Sequence, residues 1–513
     1  MTTTETSRGG VILLTVLAGV LTFAGFTALA MARNGGLFEY ALDDVYIHLA
    51  MAEQIANGGY GVNAGEYTSA ASSPLYPVLL TPFAGLEIQR WLPLFWNIVA
   101  LAAAAALLGL ALAEAGLGRV GWLLAVVMPF ALNLHTVAYT GMENLAHGAA
   151  SLAIVIGLWR FAEQDRIGVL LIAGILLAPA FRLEGVALAL AAGGTVFLLG
   201  RKGAGLFFMG LGLLPVVAFM GFLMSLGLDP LPNSVIAKLS DGTPDGGNIV
   251  ARLVGKLIGN TQSYGGRYLL ILILVGLGLS AAILAENRRR GVFGLAVVAA
   301  AFAHLTVGSI GWMDRYESYA VLSVIAAIVL LLSGQTYNMR LMLVALLLAG
   351  GAFTYLPYMP LHLQNMKAIY TQQGQMARFA KEHVRGPIAV NDLGYVSWQN
   401  PDYVLDLWGL ASKEALETRL SDPAPGWAGP LADKADVRVA MIYYRWLGDA
   451  VPAEWAPLGQ LRVNVPGAFL GGANVTFFAT DPADAADLTD ALRIWETDLP
   501  PDAEFVFVEE LER

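Results

Sequence analysis

The chain has 513 residues, is 57% hydrophobic and only 14% charged, with mean hydropathy +0.61 and a formal net charge of −10. That is the composition of a polytopic membrane protein rather than a soluble one, and its acidic balance without a basic stripe argues against nucleic acid as a partner. There is no cysteine, so disulfides, thiolate metal sites and cysteine nucleophiles are excluded.

Val11 to Met31 follows a single arginine and has no small-residue cleavage site, so it reads as a retained membrane helix rather than a cleaved signal peptide. At about 20 apolar residues per crossing, eleven segments qualify: 11–31, 91–113, 119–138, 143–160, 167–181, 183–199, 204–227, 268–285, 291–311, 317–333 and 339–356. The pieces 167–181 and 183–199 are short and predict a tight hairpin with Arg182 at its tip. The apolar piece 74–88 is too short to separate a re-entrant helix from a crossing.

Leu42 to Pro77 stands apart from this apolar background. Asp43 and Asp44 are adjacent, and Val45, Leu49, Ala52 and Ile55 recur at helical spacing, which predicts an amphipathic helix in the membrane interface. Gly58, Gly59, Gly61 and Gly65 then break it into a loop. Paired carboxylates at a membrane surface read as a functional site, although aspartate also suits a helix start. His48 lies one turn beyond Asp44, where it would orient a carboxylate or share a metal with it, or simply sit in the interface. Two such ligands alone do not complete a metal site.

Arg119, Arg160 with Arg166, Arg201 with Lys202, Arg288–Arg289–Arg290, and Arg340 fall in alternate loops. Placing those loops in the cytoplasm puts external loops at 32–73 and 228–267, with Glu143, Arg182, Asp314 and residues 357–513 on the same side. Glu143 and Glu184 end apolar segments, where snorkelling to water explains them as well as a site does. Arg182 lies opposite the cytoplasmic arginines, and guanidinium suits phosphate; pairing with Glu184 is the structural alternative. Lys238 and Arg315 are further external cations, and Asp314 and Arg315 also suit a mutual pair. Within 228–267, Asn248 to Ile258 reads as a further amphipathic helix.

Residues 1–356 thus read as a membrane domain and 357–513 as a mixed α/β domain. The latter has a helix over 363–385, β-prone runs at 387–391, 403–408, 437–444, 459–465, 474–479 and 503–509, and helices over 411–420 and 483–496. Asp392 and Asp406 follow β-prone runs, a place for a site or for a turn.

In their order, these pieces resemble a known family. They are Asp43–Asp44 followed by Tyr46 and Ile47, TGMEN around Glu143, RLEG with Arg182 and Glu184, LPNSVIAK with Asn233 and Lys238, DRY at Asp314–Arg315, and NDLG at Asp392 before LDLWGL. From about residue 40 to 411 the sequence is similar to GT-C superfamily membrane glycosyltransferases, most of all to the mycobacterial terminal arabinofuranosyltransferase group. Ser73–Pro74 stands where that group has Asn-Pro, and Leu183 where it has proline.

The resemblance implies a GT-C-like polytopic α-helical fold of about 11 transmembrane helices with a C-terminal periplasmic mixed α/β domain. It implies transfer of a sugar, such as the pentose arabinofuranose, from a polyprenyl-phosphate donor to a glycan, lipid or protein acceptor of the cell envelope. The site would face the periplasm of a bacterial plasma membrane. Asp43 would be the base, with Asp44 beside it. Tyr46, His48, Glu143, Arg182, Glu184, Asn233, Lys238, Asp314, Arg315 and Asp392 would contact substrate. The resemblance fixes no cofactor and leaves a divalent cation open. A transporter or flippase of lipid-linked saccharides is the alternative, though such proteins place ionisable groups near the midplane and often carry repeats.

Overall fold

The computed structural model describes residues 8–117, 120–240, 249–421 and 423–511, apart from the side chains of 238–240 and 511. Arg119 and residues 241–248 of the polar loop lie outside the described residues. Among the described residues, seven helices are long and apolar enough to cross a membrane: Arg8–Arg33, Glu87–Ala115, Asn144–Gln164, Lys202–Ser225, Tyr264–Glu286, Arg288–Val307 and the run Tyr337–His383. Four shorter apolar helices, Val120–Ala131, Val169–Phe181, Gly185–Leu198 and Ser318–Gly334, fall at the other predicted segments.

Length and burial separate these helices. Every residue of Ser318–Leu331 is buried, and so is nearly all of Asn144–Gln164. A helix apolar on all sides belongs in the middle of a bundle, and these two form its centre. Val120–Ala131 stops short because Asn133 adopts a left-handed conformation and starts a new helix, Leu134–Tyr139. The piece 74–88 does not cross. It forms the four-residue helix Tyr76–Leu79 and turns, tied to the bundle where the Leu75 amide donates to the Ala180 carbonyl at 3.0 Å.

The predicted amphipathic helix forms as Asp44–Ala56, but not as an interfacial one. All residues from Val45 to Ala52 are buried. The C-terminal domain covers the face that local periodicity would leave to lipid or water, with Tyr395 stacked flat on Tyr46 at 3.9 Å between ring centroids.

Six strands form in that domain: β1 Ile388–Val390, β2 Val404–Asp406, β3 Val439–Ile442, β4 Ala456–Val463, β5 Asn474–Ala479 and β6 Ala503–Phe507. They make one sheet in the order β2-β1-β3-β5-β4-β6. β1 runs parallel to both β2 and β3, and the remaining pairings are antiparallel. Helix Ala485–Glu496 covers one face with Leu488, Leu492 and Trp495, the last packed on Phe379, Phe477 and Phe505.

No flexible linker separates the two parts. After Tyr355 the chain continues through one 3-10 turn into helix Met359–Thr371. There Asn365 Nδ2 donates to the Ala41 carbonyl at 3.1 Å, and the Met366 amide donates to the Tyr139 hydroxyl at 3.1 Å. The basic loops meet at the far end of the bundle: Arg289 bonds the carbonyls of Phe161 and Ala162, and Arg340 that of Ala115.

Candidate functional site

At the other end, the turn after β1 lies on the aspartate pair. The Gly394 amide donates to Asp43 Oδ2 at 2.7 Å and the Tyr395 amide to Oδ1 at 2.8 Å. Only glycine fits at 394, because a β-carbon there would lie 2.1 Å from the Asp43 carbonyl oxygen. Burial and the neighbouring Asp392 push the Asp43 carboxyl well above the usual carboxylate range, against the lowering effect of the two amides. Asp392 in turn accepts from Gln373 Nε2 at 2.8 Å, the Tyr443 hydroxyl at 2.8 Å and Asn391 Nδ2 at 3.3 Å. Burial raises its carboxyl too, and the charge of Asp44 adds to the effect.

Asp44 is held differently. Arg315 Nη2 donates to its Oδ2 at 2.5 Å and to the Tyr316 hydroxyl at 3.1 Å. The Arg315 side chain is only 3% exposed, yet its Nε and Nη1 have no hydrogen-bond partner among the described residues. Buried guanidinium N–H groups without an acceptor are costly, and here they leave donor capacity beside a carboxylate.

The loop that delivers Arg315 is strained. Trp312, Met313 and Asp314 have φ of 50°, 62° and 57° in succession. Left-handed backbone at non-glycine residues costs of order 1–3 kcal/mol each and persists where surrounding contacts over-determine it. Those contacts are present: Asn133 Nδ2 donates to Asp314 Oδ2 at 3.3 Å, and buried Met313 receives Asn365 Nδ2 at 3.4 Å. Asp314 does not pair with Arg315. It faces His362 Nε2 at 3.7 Å, and burial lifts its carboxyl to about 7.

The hairpin arginine is also taken up within the protein. Arg182 Nη1 donates to Glu143 at 2.7 Å and Nη2 to Glu184 at 2.8 Å. Its guanidinium carbon lies 5.7 Å from the centre of the Tyr316 ring. The turn is tight enough that a β-carbon at Gly185 would lie 2.5 Å from the Ala178 carbonyl carbon. His48 Nε2 sits 3.6 Å from the other Glu143 oxygen.

The remaining expected contacts flank this cluster, lie away from it or fall outside the described side chains. Tyr46 is buried, bonded to Glu39, which also binds Arg90 at 2.8 Å. Asn233 ties two segments together, its amide donating to Ser69 Oγ at 3.1 Å and its Nδ2 to the Leu410 carbonyl at 3.2 Å. Lys238 falls in helix Asn233–Ser240, with its side chain outside the described residues. Gln373, Tyr443, Tyr316 and Glu39 belong to the cluster or its supports and were not singled out from sequence. Only Tyr316 carried a signal, as the neighbour of Asp314–Arg315.

Asp44 and His48 do not form one ligand set for a divalent cation. The first turns to Arg315 and the second to Glu143, and among the described residues no group of three or more His, Asp or Glu is placed to hold a metal.

An apolar groove of about 340 Å³ opens between helices Leu92–Ala115, Asn144–Gln164 and Val169–Phe181. Tyr76, Met142 and Phe181 line it next to the polar cluster, and small residues such as Ala100, Ala149 and Gly174 line it further down.

Residues 364–478 match a family described as a domain of unknown function (DUF8728). The match takes in β1 to β4 and nearly all of β5, with the Asn391–Gly394 turn, and covers well under half of the chain. Among curated proteins, none matches this chain.

Proposed function

We propose that the protein is a membrane glycosyltransferase that moves a sugar from a polyprenyl-phosphate donor to an acceptor hydroxyl of the cell envelope. The observation that carries this reading is the pair of buried Arg315 with half-exposed Asp44, whose guanidinium keeps two unclaimed donors beside the carboxylates. The apolar groove supports it, because it reaches Met142 and Phe181, the chain neighbours of Glu143 and Arg182, and has the character a prenyl chain requires. The ordered motifs that resemble GT-C enzymes agree, and a pentose such as arabinofuranose is the sugar they favour. The basic end of the bundle then faces the cytoplasm, and the carboxylate end with the C-terminal domain faces the periplasm.

In this mechanism Asp43 takes the proton of the acceptor hydroxyl. The acceptor oxygen bonds to the anomeric carbon, the carbon–oxygen bond to phosphate breaks, and the lipid phosphate leaves with the bonding pair. Asp43 suits the base because burial and Asp392 raise its carboxyl above the usual carboxylate range, which strengthens it as a proton acceptor, whereas Asp44 is committed to Arg315. Arg315 meets the phosphate with Nε and Nη1, in the position where leaving-group charge develops. Arg182 has both ends of its guanidinium committed to Glu143 and Glu184. In this reading it braces the site, and the first phosphate contact passes to Arg315.

The test is purified protein given radiolabelled polyprenyl-phosphate sugars and envelope acceptors. Label should leave the lipid, and Asp43→Asn should slow transfer by roughly 10²- to 10⁴-fold with unchanged protein level. Full activity in Asp43→Asn with loss in Asp44→Asn would exchange their roles. Lipid that changes leaflet with its sugar intact would replace the enzyme by a flippase.

A further inference from the structure

At the end of the bundle far from the carboxylates, a cavity of about 440 Å³ is lined by Arg8, Arg160, Arg166 and, among the described residues, a single carboxylate, Glu114. Arg8 Nη2 at 2.8 Å and Arg160 Nη2 at 3.3 Å both reach the same Glu114 oxygen. One acceptor oxygen thus serves two guanidiniums, and Arg166 adds a third. The lining carries an excess of positive charge and of N–H donors over acceptors. The surrounding acids among the described residues do not correct it: Glu163 is bound to Arg290, and Asp165 to Arg201 and Arg289.

The wall beside these cations is apolar. Ile167, Val169 and Leu170 line the same cavity, and Val169 is 79% exposed. Cations above a hydrocarbon shelf at the end of a membrane helix match one chemistry, a phosphodiester with an acyl chain attached. The geometry points to a binding site here for an anionic glycerophospholipid of the leaflet at the basic end. Its phosphate sits among Arg8, Arg160 and Arg166, and its chain lies along Ile167, Val169 and Leu170. This inference rests on the bundle spanning a membrane and does not depend on glycosyl transfer.

The experiment uses the full chain in nanodiscs of mixed phosphatidylglycerol and phosphatidylcholine, with co-released lipid measured by native mass spectrometry. Phosphatidylglycerol should be retained over phosphatidylcholine. Arg8→Gln and Arg166→Gln should each weaken that retention about fivefold, and the double variant more. Arg166→Lys should keep most of it. Arg201→Gln, a basic-end arginine that does not line the cavity, should leave it unchanged. Equal loss in Arg201→Gln and Arg166→Gln would reduce the effect to general surface charge and overturn the site. Displacement of the lipid by millimolar inorganic phosphate would make it a free-phosphate site instead. Failure of the protein to enter the nanodisc would count against the membrane reading itself, whereas incorporation without lipid preference would sink only this inference.

Discussion

Both ends of the bundle carry arginine–carboxylate pairs, yet the paired arginines are buried at the carboxylate end and part-exposed at the basic end. At the basic end, Arg201 and Asp165 are 2.5 Å apart with side chains 58% and 40% exposed. At the carboxylate end, Arg182 and Glu143 are 2.7 Å apart with side chains 5% and 0% exposed. Exposed pairs are screened and lose side-chain entropy, so they contribute little to stability. Buried pairs must first overcome desolvation, and apolar side chains of similar size would hold the helices equally well. Charge kept inside at that cost is charge held in fixed geometry. The basic end is therefore read as an anchor and the carboxylate end as a site.

Removing one member of a buried pair is the hardest test of that contrast. Glu143→Ala leaves Arg182 with Glu184 alone, and should destabilise the protein by about 3 kcal/mol or more. The unfolding midpoint of detergent-solubilised protein measures this. The double replacement Glu143→Met with Arg182→Met should recover most of the loss, since neither charge is then stranded. Transfer activity should not recover with it. Recovery of both would make the pair ordinary packing.

A smaller effect is expected in the pH profile. In the proposed mechanism transfer needs Asp43 ionised, so the rate should rise with pH through its pKa, which burial and Asp392 hold above the ordinary carboxylate range. Asp392→Asn removes one negative neighbour and makes the Asp43 anion less unfavourable. The acid limb of the rate profile should therefore move to lower pH, while a merely structural Asp392 would lower the rate without moving the limb. An unchanged limb, or one displaced upward, would detach Asp392 from the base.

These contrasts were only partly legible in the sequence. The six strands form at the six β-prone runs because alternation and turn residues act locally. Their order did not follow, since β3 pairs with β5 rather than β4 through a crossover that no local signal records. The carboxylates and arginines stood out because charge is rare among apolar segments. Their partners did not: Asp43 meets Gly394 and Tyr395, and Asp44 meets Arg315, 271 positions away. Asp392 drew notice in NDLG, whereas the atoms that touch Asp43 are backbone amides, invisible to side-chain chemistry. Helix Asp44–Ala56 misled for a similar reason. Its apolar repeat is real, but small residues such as Ala50 let a second surface pack on the remaining faces.

The smallest effect belongs to the basic end. Asp165 accepts from Arg201 at 2.5 Å and from Arg289 at 2.9 Å, both in water, and the two guanidiniums hold its carboxyl below the usual range. By distance alone this cluster is tighter than the Glu143–Arg182 pair, so a count of ion pairs predicts the larger loss here. The exposure of all three side chains predicts the reverse, because each charge regains its hydration when the cluster opens. Arg289 also keeps its bonds to the carbonyls of Phe161 and Ala162 whatever happens at 165. Asp165→Asn should accordingly leave the unfolding midpoint unchanged at physiological salt and leave transfer intact. A loss as large as that of Glu143→Ala would mean that burial does not separate the two ends.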